Sequence, residues 1–260
     1  MPDNAPMQSI HRFDGKALEY DCFRERYSPA IVLPILRTTC GLSPEWTVAD
    51  VGAGTGMLSD VLLANGNRVL AVEPNHDMRE RCQRIHDNEP RLIVIEGTAE
   101  ATGLESSSVD LVTAGRSMHW FNRESAFAEF QRILKPDGWV AIIAFGRTEH
   151  GRRENSEFEK VLREFSDEHG DTHAGYEVYQ NLDLYLPRDF HHEEILGTMT
   201  LDWENLLGMT LSLSHSPNVD QARYPSFVQS LRFFFDRFEK QGHIQLETRY
   251  WINIGRFESA

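Results

Sequence analysis

The chain has 260 residues, 40% hydrophobic and 25% charged, enough apolar sequence for a sizeable α/β core with or without a cap, and a balance that excludes long disorder and fibrous folds. Acidic residues outnumber basic ones 40 to 26, giving a formal charge of −14 with no Lys/Arg run beyond Arg152-Arg153, which disfavours nucleic acid as a partner. Cys22, Cys40 and Cys82 lack C-x-x-C spacing, so neither a disulfide framework nor a zinc site is indicated; with no export signal and no membrane-length apolar run, a cytoplasmic protein with no membrane partner is expected.

In chain order, Asp14 to Arg26 reads as a helix with Phe13, Tyr20, Phe23 and Tyr27 along it, and Pro29 to Cys40 as a second, N-capped by Ser28 and stopped by Gly41. Both precede the first strand and can fold over its carboxyl edge as a lid. Val48, Ala49 and Val51 make a short strand suited to burial on both faces, interrupted by Asp50, which is expected to accept hydrogen bonds from the glycine loop or a ligand amine. Leu58 to Ala64 is a helix ended by Asn65-Gly66, Arg68 to Val72 the second strand, and Asn75 to about His86 a helix. Strands three and four are Leu92–Glu96 and Val109–Ala114; a helix from Asn122 to Leu134 and a Lys135-Pro136-Asp137-Gly138 turn lead to strand five, Trp139–Phe145. Alternating strands and helices imply right-handed crossovers and a parallel sheet.

Beyond Arg147, Ser156-Glu157-Phe158-Glu159 reads as a capping box opening a helix, and Asp167 to Pro187, with Tyr176, Tyr179 and Tyr185, as an irregular segment folded over the site. His192–Leu201 is a sixth strand, Trp203 to Gly208 a short helix, Tyr224–Lys240 a Phe-rich helix and Ile244–Ile254 the closing strand. The run His191-His192-Glu193-Glu194 is not read as a metal site, because neighbours on a strand point to opposite faces.

The stretch T-V-A-D-V-G-A-G-T-G-M, Thr47 to Met57, organises the rest. Gly52, Gly54 and Gly56 permit positive φ and let a ligand lie against bare backbone, with the unpaired N–H groups of the next helix facing it. Their spacing is not the G-x-G-x-x-G of dinucleotide sites, since Met57 stands at the last glycine position, and no Gly-Lys-Ser/Thr of a phosphate loop exists. Glu73 ends the second strand about twenty residues on, where a carboxylate can accept both hydroxyls of a ribose. A tight strand-to-helix turn with no ligand, for the glycines, and an ordinary solvated glutamate before the Pro74 turn, for Glu73, stay open at this stage.

The G-x-G-x-G turn after an acidic residue resembles the first motif of class I S-adenosylmethionine-dependent methyltransferases. Tyr20-Asp21-Cys22-Phe23-Arg24-Glu25-Arg26-Tyr27-Ser28-Pro29 is similar to the Y-x-x-x-R-P-x-Y-P segment of a small-molecule branch, with Glu25 and Ser28 in place of its prolines. Glu96-Gly97-Thr98-Ala99-Glu100 resembles the post-strand-three segment of quinone-biosynthesis C-methyltransferases, with Thr98 where many relatives have Asp. Arg116-Ser117-Met118-His119-Trp120-Phe121 resembles a segment of small-carboxylic-acid methyltransferases, and Arg132 to Gly138 matches the superfamily's R-x-L-K-P-x-G turn.

The resemblance implies a doubly wound, Rossmann-like, seven-stranded and mostly parallel sheet with an antiparallel last strand and a helical cap. It divides the chain into lid helices (1–45), an S-adenosylmethionine-binding core (46–147), a substrate cap with the sixth strand (148–243) and a closing strand (244–260). It implies cofactor contacts from Tyr20, Arg24, Asp50, Gly52, Ala53, Gly54, Gly56, Glu73, Pro74, Met78, Thr98, Ala99, Glu100 and Arg116, with His119 orienting or deprotonating the acceptor. The acceptor is expected to be a small molecule of aromatic or carboxylic character, lined by Phe13, Tyr20, Tyr27, Trp120, Tyr176 and Tyr179 and held by Arg24 and Arg116. A nicotinamide oxidoreductase, a non-catalytic binding module on the same scaffold and a macromolecular methyltransferase are the competing classes.

Overall fold

The computed structural model describes residues 17–149, 151–165, 179–213 and 216–258, so Phe13 and Tyr176 lie outside the described residues. In chain order the elements are α1 (Ala17–Phe23), α2 (Pro29–Thr39), β1 (Thr47–Val51), α3 (Met57–Asn65), β2 (Arg68–Val72), α4 (His76–Ile85), β3 (Leu92–Ile95) and β4 (Val109–Gly115). There follow α5 (Arg123–Ile133), β5 (Leu134–Arg147), α6 (Arg153–Phe165), β6 (Arg188–Leu201), α7 (Trp203–Leu211), α8 (Tyr224–Phe238) and β7 (Ile244–Arg256). The seven strands form one sheet in the order β3-β2-β1-β4-β5-β7-β6. β1 to β5 run parallel, and β7 is antiparallel to both its neighbours, as the sequence led us to expect.

Burial on both faces explains why the central strands read as continuous apolar runs. One face packs Val48, Leu111 and Ile143 beneath α2 and α3, with Tyr27 and Tyr250 at its margin. The other packs Ala49, Val72, Val112 and Ile142 beneath Phe127, Phe130 and Ile133 of α5. A third cluster joins Phe158 of α6, Leu206 of α7 and Phe227, Leu231 and Phe234 of α8 to Met199 and Leu246 of the last two strands. The strand order reverses at β1, between β2 and β4, and in such sheets the crevice for ligands opens beyond the carboxyl ends of the strands at that point.

Several boundaries differ from expectation: β6 begins at Arg188 rather than His192, α7 ends at Leu211 rather than Gly208, α8 at Phe238 rather than Lys240 and β7 at Arg256 rather than Ile254. Three further differences have an evident cause. α1 ends at Phe23 rather than Arg26, because Arg24 to Ser28 leave the helix and carry Tyr27, 4% exposed, down to the sheet edge. β5 begins at Leu134: pairing steps from Val109↔Leu134 to Leu111↔Trp139, so the K-P-D-G residues loop out within the strand, with Asp137 at φ 61°. Lys135 pins this bulge by donating to both oxygens of Asp110 at 2.9 Å, while Asp110 also accepts from Thr47 N–H at 2.9 Å. α6 starts at Arg153, which places Ser156 inside it; the hydroxyl donates to Glu149 C=O (3.0 Å) instead of capping.

Asn155 fastens α6 to the sheet. Its amide donates to Thr148 C=O (2.6 Å) and Glu247 C=O (2.9 Å) and accepts from Glu247 N–H (2.8 Å), in a residue 1% exposed. Leaving a buried polar group unsatisfied costs about 1–3 kcal/mol. Asn155→Ala is therefore expected to lower unfolding stability by roughly 3 kcal/mol, read as a reduced urea midpoint with an unchanged slope.

Candidate functional site

The glycine loop bends the chain from β1 into α3 with Gly52, Gly54 and Gly56 at φ 67°, 59° and 92°. Val72 C=O receives both Gly52 N–H (2.8 Å) and Ala53 N–H (3.1 Å), which locks the loop to the neighbouring strand. The three glycines serve different ends. A Cβ on Gly52 would lie 2.6 Å from Ser117 Cβ, and one on Gly56 would lie 2.8 Å from His86 Cε1 and 3.0 Å from Cys82 Sγ. A Cβ on Gly54 would meet nothing within 4 Å, so the first two are demanded by packing and Gly54 borders open space.

Glu73 closes the cradle from the end of β2. One carboxylate oxygen accepts Gly54 N–H and the other Asn75 N–H, each at 2.8 Å. The residue is 8% exposed; burial raises its pKa, and those two N–H groups with Arg79 pull it back down. A carboxylate oxygen has two lone pairs, so each keeps one for a ligand hydroxyl. Arg79 braces the turn by donating to Glu73 C=O (3.1 Å) and Pro74 C=O (2.7 Å), and Asn75 caps α4 by accepting Met78 N–H at 2.9 Å. Met78 itself is 3% exposed.

Asp50 has different partners from those expected. It is fully buried, and its oxygens accept from Ser59 Oγ (2.6 Å) and Thr113 Oγ1 (3.1 Å), side-chain hydroxyls rather than glycine-loop N–H groups. Burial pushes its carboxyl up to about 6 against the lowering effect of those two donors. Ser59 is on α3 and Thr113 is the register partner of Asp50 on β4, so Asp50 ties three elements together directly behind the loop.

The segment after β3 forms a tight turn, with Thr98 N–H donating to Ala101 C=O (3.1 Å) and Thr98 Oγ1 accepting Ala101 N–H (3.2 Å). Ala99 is 4% exposed, and Glu100 accepts Asn122 N–H at 2.8 Å, joining this turn to the cap of α5. Beyond β4, Arg116 adopts φ 55° and its guanidinium donates to Met57 Sδ (3.2 Å) while lying 5.0 Å over the Tyr27 ring. Arg24 stacks on Tyr20 at 5.0 Å. His119, in a 3-10 turn at Met118–Trp120, is exposed, its ring 4.5 Å from that of Trp120. Tyr179, 8% exposed, packs in the α5-side cluster. Gly54, Glu73 and Arg116 thus stand along one sheet edge, at the ends of β1, β2 and β4.

An ionic chain that sequence reading missed ties the lid to this edge. Asp21 of α1, 7% exposed, accepts from Arg26 (2.6 Å) and from Arg81 of α4 (2.6 Å). Arg26 also donates to Asp60 of α3 at 2.9 Å, and Asp60 meets His86 Nε2 at 2.8 Å. The other imidazole nitrogen faces Cys82 C=O at 2.8 Å, which can only accept. His86 therefore stands as an imidazolium against the back of the loop, its pKa pushed up to about 10 chiefly by its hydrogen bond to Asp60.

No described helix is long and apolar enough to cross a membrane, and no group of three or more His, Cys, Asp or Glu side chains among the described residues could hold a metal ion. Residues 49–142 match a protein-family model described as a methyltransferase domain. An uncharacterized methyltransferase of Schizosaccharomyces pombe is 32% identical over 132 residues, 50% of this chain and 51% of that protein. The chain spans about half the length of the curated relatives it matches. A solved structure provisionally assigned as a type II methyltransferase, from Anaeromyxobacter dehalogenans, superposes with a TM-score of 0.63 at 22% identity, covering 90% of this chain and 98% of its own. A Haemonchus contortus phosphoethanolamine N-methyltransferase, solved with S-adenosylhomocysteine, has a TM-score of 0.52 at 17% identity over 96% of this chain and 59% of its own.

The raised pKa of His86 fixes a sign. Its stabilisation is complete below its ordinary value of 6.5 and is lost as pH rises through about 10. The stability advantage of the parent over His86→Asn should shrink between pH 6.5 and 10, measured by urea unfolding of both proteins across that range.

Proposed function

We propose that the chain is a class I S-adenosylmethionine-dependent methyltransferase with residues 49–142 holding the cofactor, and that it transfers the cofactor's methyl group to a small-molecule acceptor by direct in-line displacement. The observation that carries this reading is the Glu73 carboxylate, held by Gly54 and Asn75 N–H groups with a free lone pair on each oxygen, beside a glycine whose missing side chain borders open space. The cradle suits the cofactor in one further respect. Thr55 Oγ1, in a residue 1% exposed, has no hydrogen-bond partner among the described residues, an orphan that a bound ligand would relieve.

Glu73 would hold the ribose hydroxyls, Gly52 to Gly56 the methionine portion, and Thr98 to Glu100 the adenine edge, with Met78 beneath. Asp50 would act through the loop it backs, and Pro74 by shaping the turn after Glu73. When bound, the cofactor supplies a sulfonium that already activates its methyl, so the protein's task is alignment and the exclusion of water. Tyr20 and Arg24 with α1 and α2 would cover the edge from one side, and the described residues of 148–243 from the other. The acceptor would sit beyond β4, between Arg116, whose charge suits an anionic or aromatic group, and His119, which would orient it.

Two measurements test this reading. In calorimetry Glu73→Ala should weaken S-adenosylmethionine binding by about 1.5–3 kcal/mol, and Gly54→Val should abolish it without unfolding the protein; parent-like affinity in both refutes the assignment. His119→Ala and His119→Gln should lower turnover by roughly 10²-fold with cofactor affinity kept; unchanged turnover removes His119 from the acceptor site.

A further inference from the structure

We propose that Glu25 is the proton acceptor of the reaction, and that the acceptor it serves is a small phenol or comparably acidic hydroxyl compound. The inference rests on the methyltransferase reading and deepens it. Glu25 occupies a position where the resembling branch carries proline, so the side chain belongs to this chain and not to the common scaffold. It lies on the extended segment between α1 and α2, and its Oε2 is enclosed without a hydrogen-bond partner among the described residues. A buried carboxylate oxygen left unsatisfied is costly, and folds keep such groups where a ligand completes them.

Tyr27, two residues beyond Glu25, lies under the Arg116 guanidinium at 5.0 Å, which puts the Glu25 segment beside the residues beyond β4. Arg116, beyond β4, and Arg147, at the end of β5, both act electrostatically on Glu25. Neither is committed to it: Arg116 donates to Met57 Sδ and stacks on Tyr27, and Arg147 Nε donates to Glu159 at 3.2 Å. Met57 is the first residue of α3 after the glycine loop and its sulfur accepts from Arg116, so Arg116 joins the end of the loop to the segment that carries Glu25 and Tyr27. Among the described residues, Tyr250 on β7, whose hydroxyl accepts Ser28 N–H at 2.9 Å, also interacts with Glu25, while Tyr27 on the same segment and Tyr20 on α1 act on Arg116. Burial pushes the Glu25 carboxyl up to about 7, against the lowering effect of Arg116 and Arg147, which suits a base working near neutrality.

A carboxylate acceptor would arrive already ionised, would need no base and would be repelled by an ionised Glu25. A hydroxyl must lose its proton. As its oxygen bonds to the methyl carbon, the carbon–sulfur bond breaks with its electron pair left on sulfur, and the O–H proton passes to Glu25 Oε2 and then to water. Tyr27 and Phe145 are each 4% exposed beneath Arg116, so the guanidinium is the flat group that would meet the ring of a phenol.

The test uses Glu25→Gln, which removes charge and basicity while keeping the shape of a side chain whose oxygen has no partner to lose. Protein labelled with carboxyl-13C glutamate, saturated with S-adenosylhomocysteine, should show one carboxyl resonance titrating near pH 7 that is missing from Glu25→Gln, and a panel of simple phenols should shift it where benzoate and short aliphatic acids do not. Phenol methylation in the parent should rise with pH through the same midpoint and fall roughly 10²-fold in Glu25→Gln, with S-adenosylmethionine affinity unchanged. A Glu25 resonance that titrates as an ordinary carboxyl, that phenols leave unmoved, or a variant that methylates as fast as the parent would each overturn the proposal. Failure of the parent to bind S-adenosylmethionine at all would instead overturn the methyltransferase reading beneath it.

Discussion

Everything at the carboxyl edge of the sheet depends on one carboxylate held by two backbone N–H groups. Glu73 reaches from the end of β2 to Gly54 in the loop after β1 and to Asn75 at the start of α4, so one side chain sets the spacing of three segments. The bond to Gly54 is possible because positive φ at Gly52, Gly54 and Gly56 turns the loop's N–H groups outward, and that turn fits because Ser117, Cys82 and His86 crowd where side chains would have been. Behind the loop Asp50 binds Ser59 and Thr113, which fixes the floor on which it rests. The open surface of the cradle is thus backbone and one acid, while its shape is fixed by residues packed behind it.

Much of this was legible in the sequence, for identifiable reasons. Thr47–Val51 and Arg68–Val72 agree with expectation because a strand buried on both faces has to be a short apolar run. Asn75 and Asn122 mark helix starts because their side chains do the capping themselves, on Met78 N–H and Ser125 N–H. The glycine spacing and Glu73 identified the cradle because both requirements, positive φ and a carboxylate at the next strand end, are local.

What escaped was non-local. The partner of Asp50 on β4 is set by strand register, and nothing near Asp50 announces Thr113. The charge-rich run from Asp21 to Tyr27 reads as an amphipathic helix, yet the competition is won by burying Tyr27 and by pairing Arg26 with Asp60 thirty-four residues away, which draws the chain out of α1 after Phe23. Ser156 fits a capping box in letters, but α6 had already begun at Arg153, where Asn155 could bind the backbone of β7. Glu25 stands out in the sequence only as a departure from proline in the resembling segment; that its Oε2 is enclosed without a partner among the described residues depends on the fold.

The placement of β7 between β5 and β6 has a consequence for how the chain is made. β6 pairs with β7 and with no other described strand, and one flank of β5 is completed by β7 as well. Residues 188–201 therefore leave the ribosome as a strand without a partner, and α7 and α8 must follow before the matching edge arrives. Until then two open strand edges are exposed to neighbouring nascent chains, the circumstance in which strands mispair and aggregate. Four β6 side chains between Arg188 and Glu194 carry a formal charge, Arg188, Asp189, Glu193 and Glu194, and charge on a waiting edge is how sheets keep strangers off. The β5-β7-β6 side of the sheet is therefore completed only after the cradle's own strands, β1 to β4, have been synthesised.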